Sequence, residues 1–143
     1  MSAAAATRLS SSVTDPLDVL PAILLVDDET LIRLHVADHI RAHGFRVYEA
    51  ANADEAMDIL AAKPVIDLVF TDVTLPGGMN GFDLGRRIRQ MRPELPIVFG
   101  SGHARLAMAA AQFGPEAQVF SKPYDLDELI VHFRTVIKSR RAQ

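Results

Sequence analysis

The sequence predicts an α/β fold built on a parallel sheet. Short apolar or β-branched runs at 23–26, 45–48, 65–71, 96–100 and 118–121 alternate with segments of helical spacing, as in a chain of βαβ units. The first, third and fourth runs are almost wholly apolar, as expected for strands covered on both faces. Four of the runs end at polar groups: Asp27-Asp28, Asp72, Ser101 and Lys122. An apolar run that ends in a charge reads as a buried strand whose carboxyl end opens into a site, where ligands bind in open α/β sheets.

The helical segments carry their own punctuation. Ile32, Val36 and Ile40 recur every fourth residue, and Gly44 stands at the C′ position of that first helix. A second helix opens at Asn52 with Glu55 three residues on, close to a capping box. A third begins after Asn80-Gly81, carries Phe82, Leu84, Gly85 and Ile88, and stops at Pro93. The fourth is alanine-rich, from about His103 to Phe113, and Gly114-Pro115 ends it. The fifth opens at Asp125 with Glu128 in the capping position. Its apolar face is Leu126, Leu129, Ile130, Phe133, Val136 and Ile137, and Lys138, Arg140 and Arg141 suit the dipole at its C-terminal end.

Composition narrows the function classes. The chain of 143 residues fits one domain with a single core. Residues 1–20 are rich in Ala, Ser and Thr and read as a flexible N-terminal tail, because no continuous apolar centre makes them a secretory signal. Residues 21–143 form the domain. With no cysteine, thiolate metal sites and disulfides are excluded, which is compatible with the cytoplasm. A net charge of −3 gives no general attraction to nucleic acid or to a membrane surface. No apolar stretch approaches the roughly 18 residues of a membrane span.

The polar strand ends suggest a divalent cation and a phosphoryl group. Mg²⁺ takes oxygen ligands and is usually held by a few carboxylates, substrate oxygens and water. Asp28 and Asp72 at neighbouring strand ends supply such a pair, with Asp27 in support. Lys122 offers a point charge to one phosphoryl oxygen, and Ser101 a hydroxyl donor to another. Any one of these acids alone could be a helix cap or a loop residue. Together, at four strand ends, they read as one site.

In order and spacing, Leu25-Val26-Asp27-Asp28-Glu29, Phe70-Thr71-Asp72-Val73-Thr74-Leu75-Pro76, Asn80-Gly81, Ser101-Gly102 and Lys122-Pro123 resemble the receiver domain of bacterial two-component response regulators, over about residues 22–140. The resemblance implies a flavodoxin-like, doubly wound five-stranded parallel sheet of order 2-1-3-4-5 with five helices. It implies that Asp72 accepts a phosphoryl group from a histidine kinase or histidine phosphotransfer protein. Asp27, Asp28, Asp72 and the main-chain carbonyl of Thr74 would hold Mg²⁺. Ser101 and Lys122 would contact the phosphoryl oxygens, and the Lys122–Pro123 bond would be cis. Thr74 and His103 would flank the line of attack of water. In this family kinases dock on the first helix with the loop after Asp72, and the contact expected here involves Ile32, Arg33, Val36 and the Lys122-Pro123-Tyr124 loop.

Three departures from the family pattern stand out. Val119 occupies the position, three before the lysine, where many receivers carry an aromatic switch, and Phe120 should point to the opposite face of the strand. Output would then run through the loop at 101–105. Gly77-Gly78 lengthens the loop after the acceptor by one residue. No output domain follows the fifth helix, so the expectation is a single-domain regulator. It would act through contacts with an unknown downstream protein, phosphorelay or phosphate storage, with homodimerisation open. Two rivals stand beside this reading. A phosphatase or phosphotransferase of the haloacid dehalogenase kind needs a second Asp two residues after the nucleophile, where Thr74 stands. A receiver-like scaffold that is never phosphorylated would not need the full polar set.

Other features have plainer readings. His35, His39 and His43 recur at helical spacing, but no third ligand stands near them in sequence except Asp38 on another face, so a solvated helix face is expected. Arg86, Arg87, Arg89 and Arg92 read as a solvated surface of the third helix. Met79, Met91 and Met108 read as packing residues or loop contacts.

Overall fold

The computed structural model describes residues 20–62, 64–102, 107–115 and 117–141. The expected tail up to residue 19, the loop through His103 and Arg105, and the side chain of Met108 lie outside the described residues. Five parallel strands form one sheet: β1 (Ala22–Val26), β2 (Arg46–Ala50), β3 (Leu68–Asp72), β4 (Ile97–Ser101) and β5 (Val119–Ser121). Their spatial order is β2-β1-β3-β4-β5, as the resemblance implies. Between them run α1 (Thr30–Ala42), α2 (Ala53–Ala61), α3 (Gly81–Met91), the single turn α4 (Ala107–Ala110) and, after β5, α5 (Leu126–Arg141). The alanine-rich segment differs from the expected long helix. Only one α turn is described there, and Ala111–Phe113 continue it as a 3-10 turn.

The apolar runs become strands because both faces of the sheet are covered. Every residue of β1, β3 and β4 is buried, while β2 and β5 at the edges are only partly so. Side-chain alternation sorts the core into two layers. Leu24, Val26, Val69, Ile97 and Phe99 face Leu60, Leu84, Ile88 and Phe113 on one side. Ile23, Leu25, Leu68, Phe70 and Val98 face Ile40, Leu129, Phe133 and Ile137 on the other. Burying each such side chain fully contributes about 1.5–3 kcal/mol.

The helix signals act largely as the sequence indicates. Asn52 Oδ1 accepts from the Glu55 N–H at 2.8 Å, and the Glu55 carboxylate in turn takes the Ala51 N–H at 2.8 Å. Asn80 and Asp83 form a complete capping box at the start of α3. Asp125 Oδ1 accepts from the Glu128 N–H at 3.1 Å. Gly44, at φ 92°, lets the chain turn out of α1. The arginines of the third helix are more engaged than a solvated face would be. Arg89 donates to the Phe113 carbonyl at 2.9 Å, and Arg92 to the carbonyls of Leu60 and Pro64 at 3.0 and 3.3 Å. At the other end of the fold, buried Asp67 accepts the Ala22 N–H at 2.8 Å and pairs with Arg140 and Arg141. The last turn of α5 therefore clasps the entry to β1.

Candidate phosphoacceptor site

The order of the strands makes the site. From β1 the sheet grows to β2 on one side and to β3 on the other, which opens a crevice at the carboxyl ends of β1 and β3. Asp27 follows β1, and Asp72 ends β3 in register with Gly100 of β4. Ser101 ends β4, and its carbonyl accepts the Lys122 N–H at 3.0 Å, which brings the loop after β5 to the same edge. Asp27, Asp72 and Ser101 are only 3%, 6% and 1% exposed.

One cation faces three carboxylates there. Lys122 Nζ lies 2.7 Å from Asp72 Oδ2, 2.9 Å from Glu29 Oε1 and 3.5 Å from Asp27 Oδ2. The other Asp72 oxygen, Oδ1, accepts the Thr74 N–H at 3.2 Å. Asp27 Oδ1 accepts the Glu29 N–H at 2.9 Å, and Arg33 Nη1 donates to the Asp27 carbonyl at 2.7 Å. The Lys122–Pro123 bond is cis.

Electrostatics follow from this crowding. Burial raises the pKa of Asp27, and the charges of Asp72 and Glu29 add to that, outweighing the Glu29 N–H and Lys122, which lower it. Burial acts to lower the pKa of Lys122. The hydrogen bonds to Asp72 and Glu29 more than reverse it, so the ammonium is held above the ordinary lysine range. Below it, Tyr124 packs 5.2 Å from Phe70, and burial is the first cause that raises its phenol above the usual range.

Asp27, Glu29 and Asp72 each offer a carboxylate oxygen, all within 4.8 Å of one another. An all-oxygen set with excess negative charge suits a hard divalent cation such as Mg²⁺. Asp28 stands exposed beside this group, and its carboxylate is not among the three oxygens brought together. For Thr74 the structure gives the N–H contact to Asp72. Glu29 was missed as a site residue, although it closes the Asp-Asp-Glu motif. Its signal was only its place two residues after a strand-end acid.

Two docking expectations change. Val36 is 2% exposed and belongs to the core, and Arg33 is occupied by Asp27 and by Glu49 at 3.2 Å. Leu31 at 83% and Leu34 at 43% are the exposed large apolar residues of α1. Leu31 and Ile32 border a groove with Pro123, Tyr124 and Leu126. Phe120 does point away from Val119, as strand alternation requires. Val119 packs in the α2–α3 layer, whereas Phe120 packs in the α5 layer, 5.3 Å from His132.

A doubly wound five-stranded sheet with acids and a lysine at its carboxyl edge defines an α/β class whose family the comparison with known proteins supplies. The family model "Response regulator receiver domain" matches residues 23–134, and the chain belongs to that family. It is 32% identical over 122 residues to the C4-dicarboxylate transport transcriptional regulatory protein DctD of Rhizobium meliloti, covering 85% of this chain and 26% of that protein. It is 31% identical over 141 residues to the sensor kinase CckA of Brucella abortus, covering 94% of this chain and 14% of the relative. Its sequence thus spans about a quarter or less of the length of these relatives. A receiver domain structure from Clostridium thermocellum superposes with a TM-score of 0.79 at 26% identity, over 86% of this chain and 98% of that one. Receiver domains serve two-component phosphorelay signalling and accept phosphate from histidine kinases. Among the described residues, no helix is long and apolar enough to cross a membrane.

Proposed function

We propose that Asp72 is the phosphoacceptor of a cytoplasmic receiver module. It would take its phosphoryl group from the phosphohistidine of a kinase or phosphotransfer protein and signal through phosphorylation-dependent protein contacts or onward relay. The observation that carries this reading is the buried Asp72 carboxylate with Lys122 Nζ at 2.7 Å, at the sheet edge where Asp27 and Glu29 also converge. The haloacid dehalogenase reading gains no support, because Thr74 stands where its second Asp belongs.

The chemistry balances simply. A carboxylate oxygen of Asp72 forms the new O–P bond, the N–P bond of the donor breaks, and the departing imidazole takes up a proton. Asp72 is held for this by two contacts, the Thr74 N–H on Oδ1 and Lys122 on Oδ2. After transfer, Lys122 keeps its charge and pairs with a phosphoryl oxygen in place of the carboxylate. Ser101, at the end of β4, supplies its hydroxyl to another phosphoryl oxygen. Asp27 and Asp72 would hold Mg²⁺ together with Glu29, which the geometry adds, and with Asp28 and the Thr74 carbonyl, which the family resemblance adds. The cation supplies relief of the repulsion between the acids and the incoming phosphoryl oxygens.

The groove of Leu31, Ile32, Pro123, Tyr124 and Leu126 adjoins Lys122 and is the surface proposed for the phosphodonor. Phosphotransfer from purified histidine kinases of the source organism tests the reading. One kinase should label the protein fast, and Asp72→Asn should abolish the label. Equal labelling of that variant would refute the assignment.

A further inference from the structure

Away from the acidic edge, α1 and the first turn of α5 bring together His39, His43 and Asp127. Ring nitrogens of the two histidines and a carboxylate oxygen of Asp127 lie within 4.8 Å of one another. In the sequence the only nearby acid, Asp38, falls on another helix face, whereas Asp127 comes from 84 residues beyond His43 (127 − 43). Only the packing of α5 against α1 supplies it.

Three details single this cluster out from an ordinary helix surface. His39 Nε2 is buried and makes no hydrogen bond among the described residues. Its nearest acid oxygen, Asp127 Oδ1, is 3.4 Å away. That is long for a charge-assisted hydrogen bond but fits the ligand–ligand edge of a tetrahedron with metal bonds of about 2.0–2.1 Å, which is about 3.4 Å. Next, His43 Nδ1 lies 2.9 Å from the His39 carbonyl. A carbonyl only accepts, so Nδ1 is the donor in this contact, and in the neutral tautomer that this selects Nε2 is the nitrogen left with a lone pair. Metal-binding histidines are typically fixed in this way. Third, His43 is the C-cap of α1, where the helix dipole favours a cation. The nearby cation, Arg134, is turned to the His43 carbonyl at 2.8 Å and to the face of Phe45 rather than to the cluster.

From this geometry we infer that His39, His43 and Asp127 form a second metal site, one for a late first-row divalent cation such as Zn²⁺. Two imidazoles and one carboxylate leave a fourth position for water. The donor set differs from the all-oxygen edge at Asp72, so the two sites sort metals by softness. A metal here pins α1 to the start of α5, the two elements that frame the groove of Leu31, Tyr124 and Leu126.

The test is a Zn²⁺ titration of the full chain by calorimetry in millimolar Mg²⁺, which occupies the acidic edge. One Zn²⁺ per chain is expected. Asp127→Asn, at a residue whose side chain is 87% exposed and so outside the core, and His43→Gln should each weaken binding at least tenfold. In the wild type, Co²⁺ should give the intense visible absorption of tetrahedral coordination. Circular dichroism of the metal-free variants confirms that they are folded. Absence of Zn²⁺ uptake by the wild type, or uptake that both variants leave unchanged, overturns the site.

Discussion

Lys122 Nζ sits 2.7 Å from Asp72 Oδ2 and is shared with Glu29 and Asp27. One ammonium thus balances three acids. Removing it leaves the carboxylates to repel one another across a mostly buried edge. Lys122→Ala should therefore lower stability by about 1–3 kcal/mol at neutral pH without Mg²⁺, and added Mg²⁺ should recover part of the loss. Denaturant unfolding with and without the cation checks both effects.

Asp27 should make the site sensitive to pH. Its folded-state pKa is raised from the ordinary 3.8, first by burial. The folded protein therefore binds this proton more tightly than the unfolded chain does. The associated stability is complete below 3.8 and is lost as pH rises through the folded-state value. Asn cannot ionise, so Asp27→Asn should raise the melting temperature at pH 7 in Mg²⁺-free buffer. That gain should shrink as the pH falls toward 4. Melting curves across this range measure the difference between the two proteins.

Excess negative charge at the acidic edge should make the fold respond to metal. A ligand that binds only the folded state stabilises it by RT ln(1 + [L]/Kd), about 2.7 kcal/mol at a hundredfold excess over Kd. Mg²⁺ should raise the melting temperature of the wild type. Asp28→Asn should weaken the Mg²⁺ affinity about tenfold, or 1.4 kcal/mol, by removing charge from the rim of the cluster. Unchanged affinity in a titration would remove Asp28 from the set of metal holders.

Gly81 is confined by the main chain at the end of β3. A Cβ there would overlap the Asp72 carbonyl oxygen and lie 2.8 Å from Val73 Cα, both rigid main chain. The Gly81 N–H also closes onto the Val73 carbonyl at 2.7 Å. Gly81→Ala should cost about 1–3 kcal/mol and slow phosphorylation by shifting Asp72. Comparing unfolding free energy with labelling rate tests both.

Gly100 leaves room for Tyr124 in the same manner. A Cβ at Gly100 would overlap the Tyr124 hydroxyl and come within 2.7 Å of its ring. Gly100→Ala should destabilise, and Tyr124→Leu in the same chain should offset part of that cost. A double-mutant cycle should show coupling of about 0.5–3 kcal/mol. Simple additivity would mean that the two positions do not compete for space.

Strand runs and caps were legible in the sequence because they depend on near neighbours. Ile23–Val26 is apolar on both faces, and Asn52 and Asp125 announce their helices. The long-range pairings were not. Nothing local says that Arg141 reaches Asp67, that Arg92 reaches the Leu60 carbonyl, or that Glu29 joins Asp27 and Asp72 around Lys122. Val36 was ambiguous because a helical period of four serves core and docking face alike, and only the packing places it at 2% exposure. His39 and His43 looked incomplete for the same reason: their third partner belongs to another helix.

Asp72 is the proposed carrier of the phosphoryl group. Intact-mass measurement after incubation with Mg²⁺ and acetyl phosphate tests that role most directly. The wild type should gain the mass of a single phosphoryl group, and Asp72→Asn should gain none. No gain by the wild type, or the same gain by Asp72→Asn, would contradict the account.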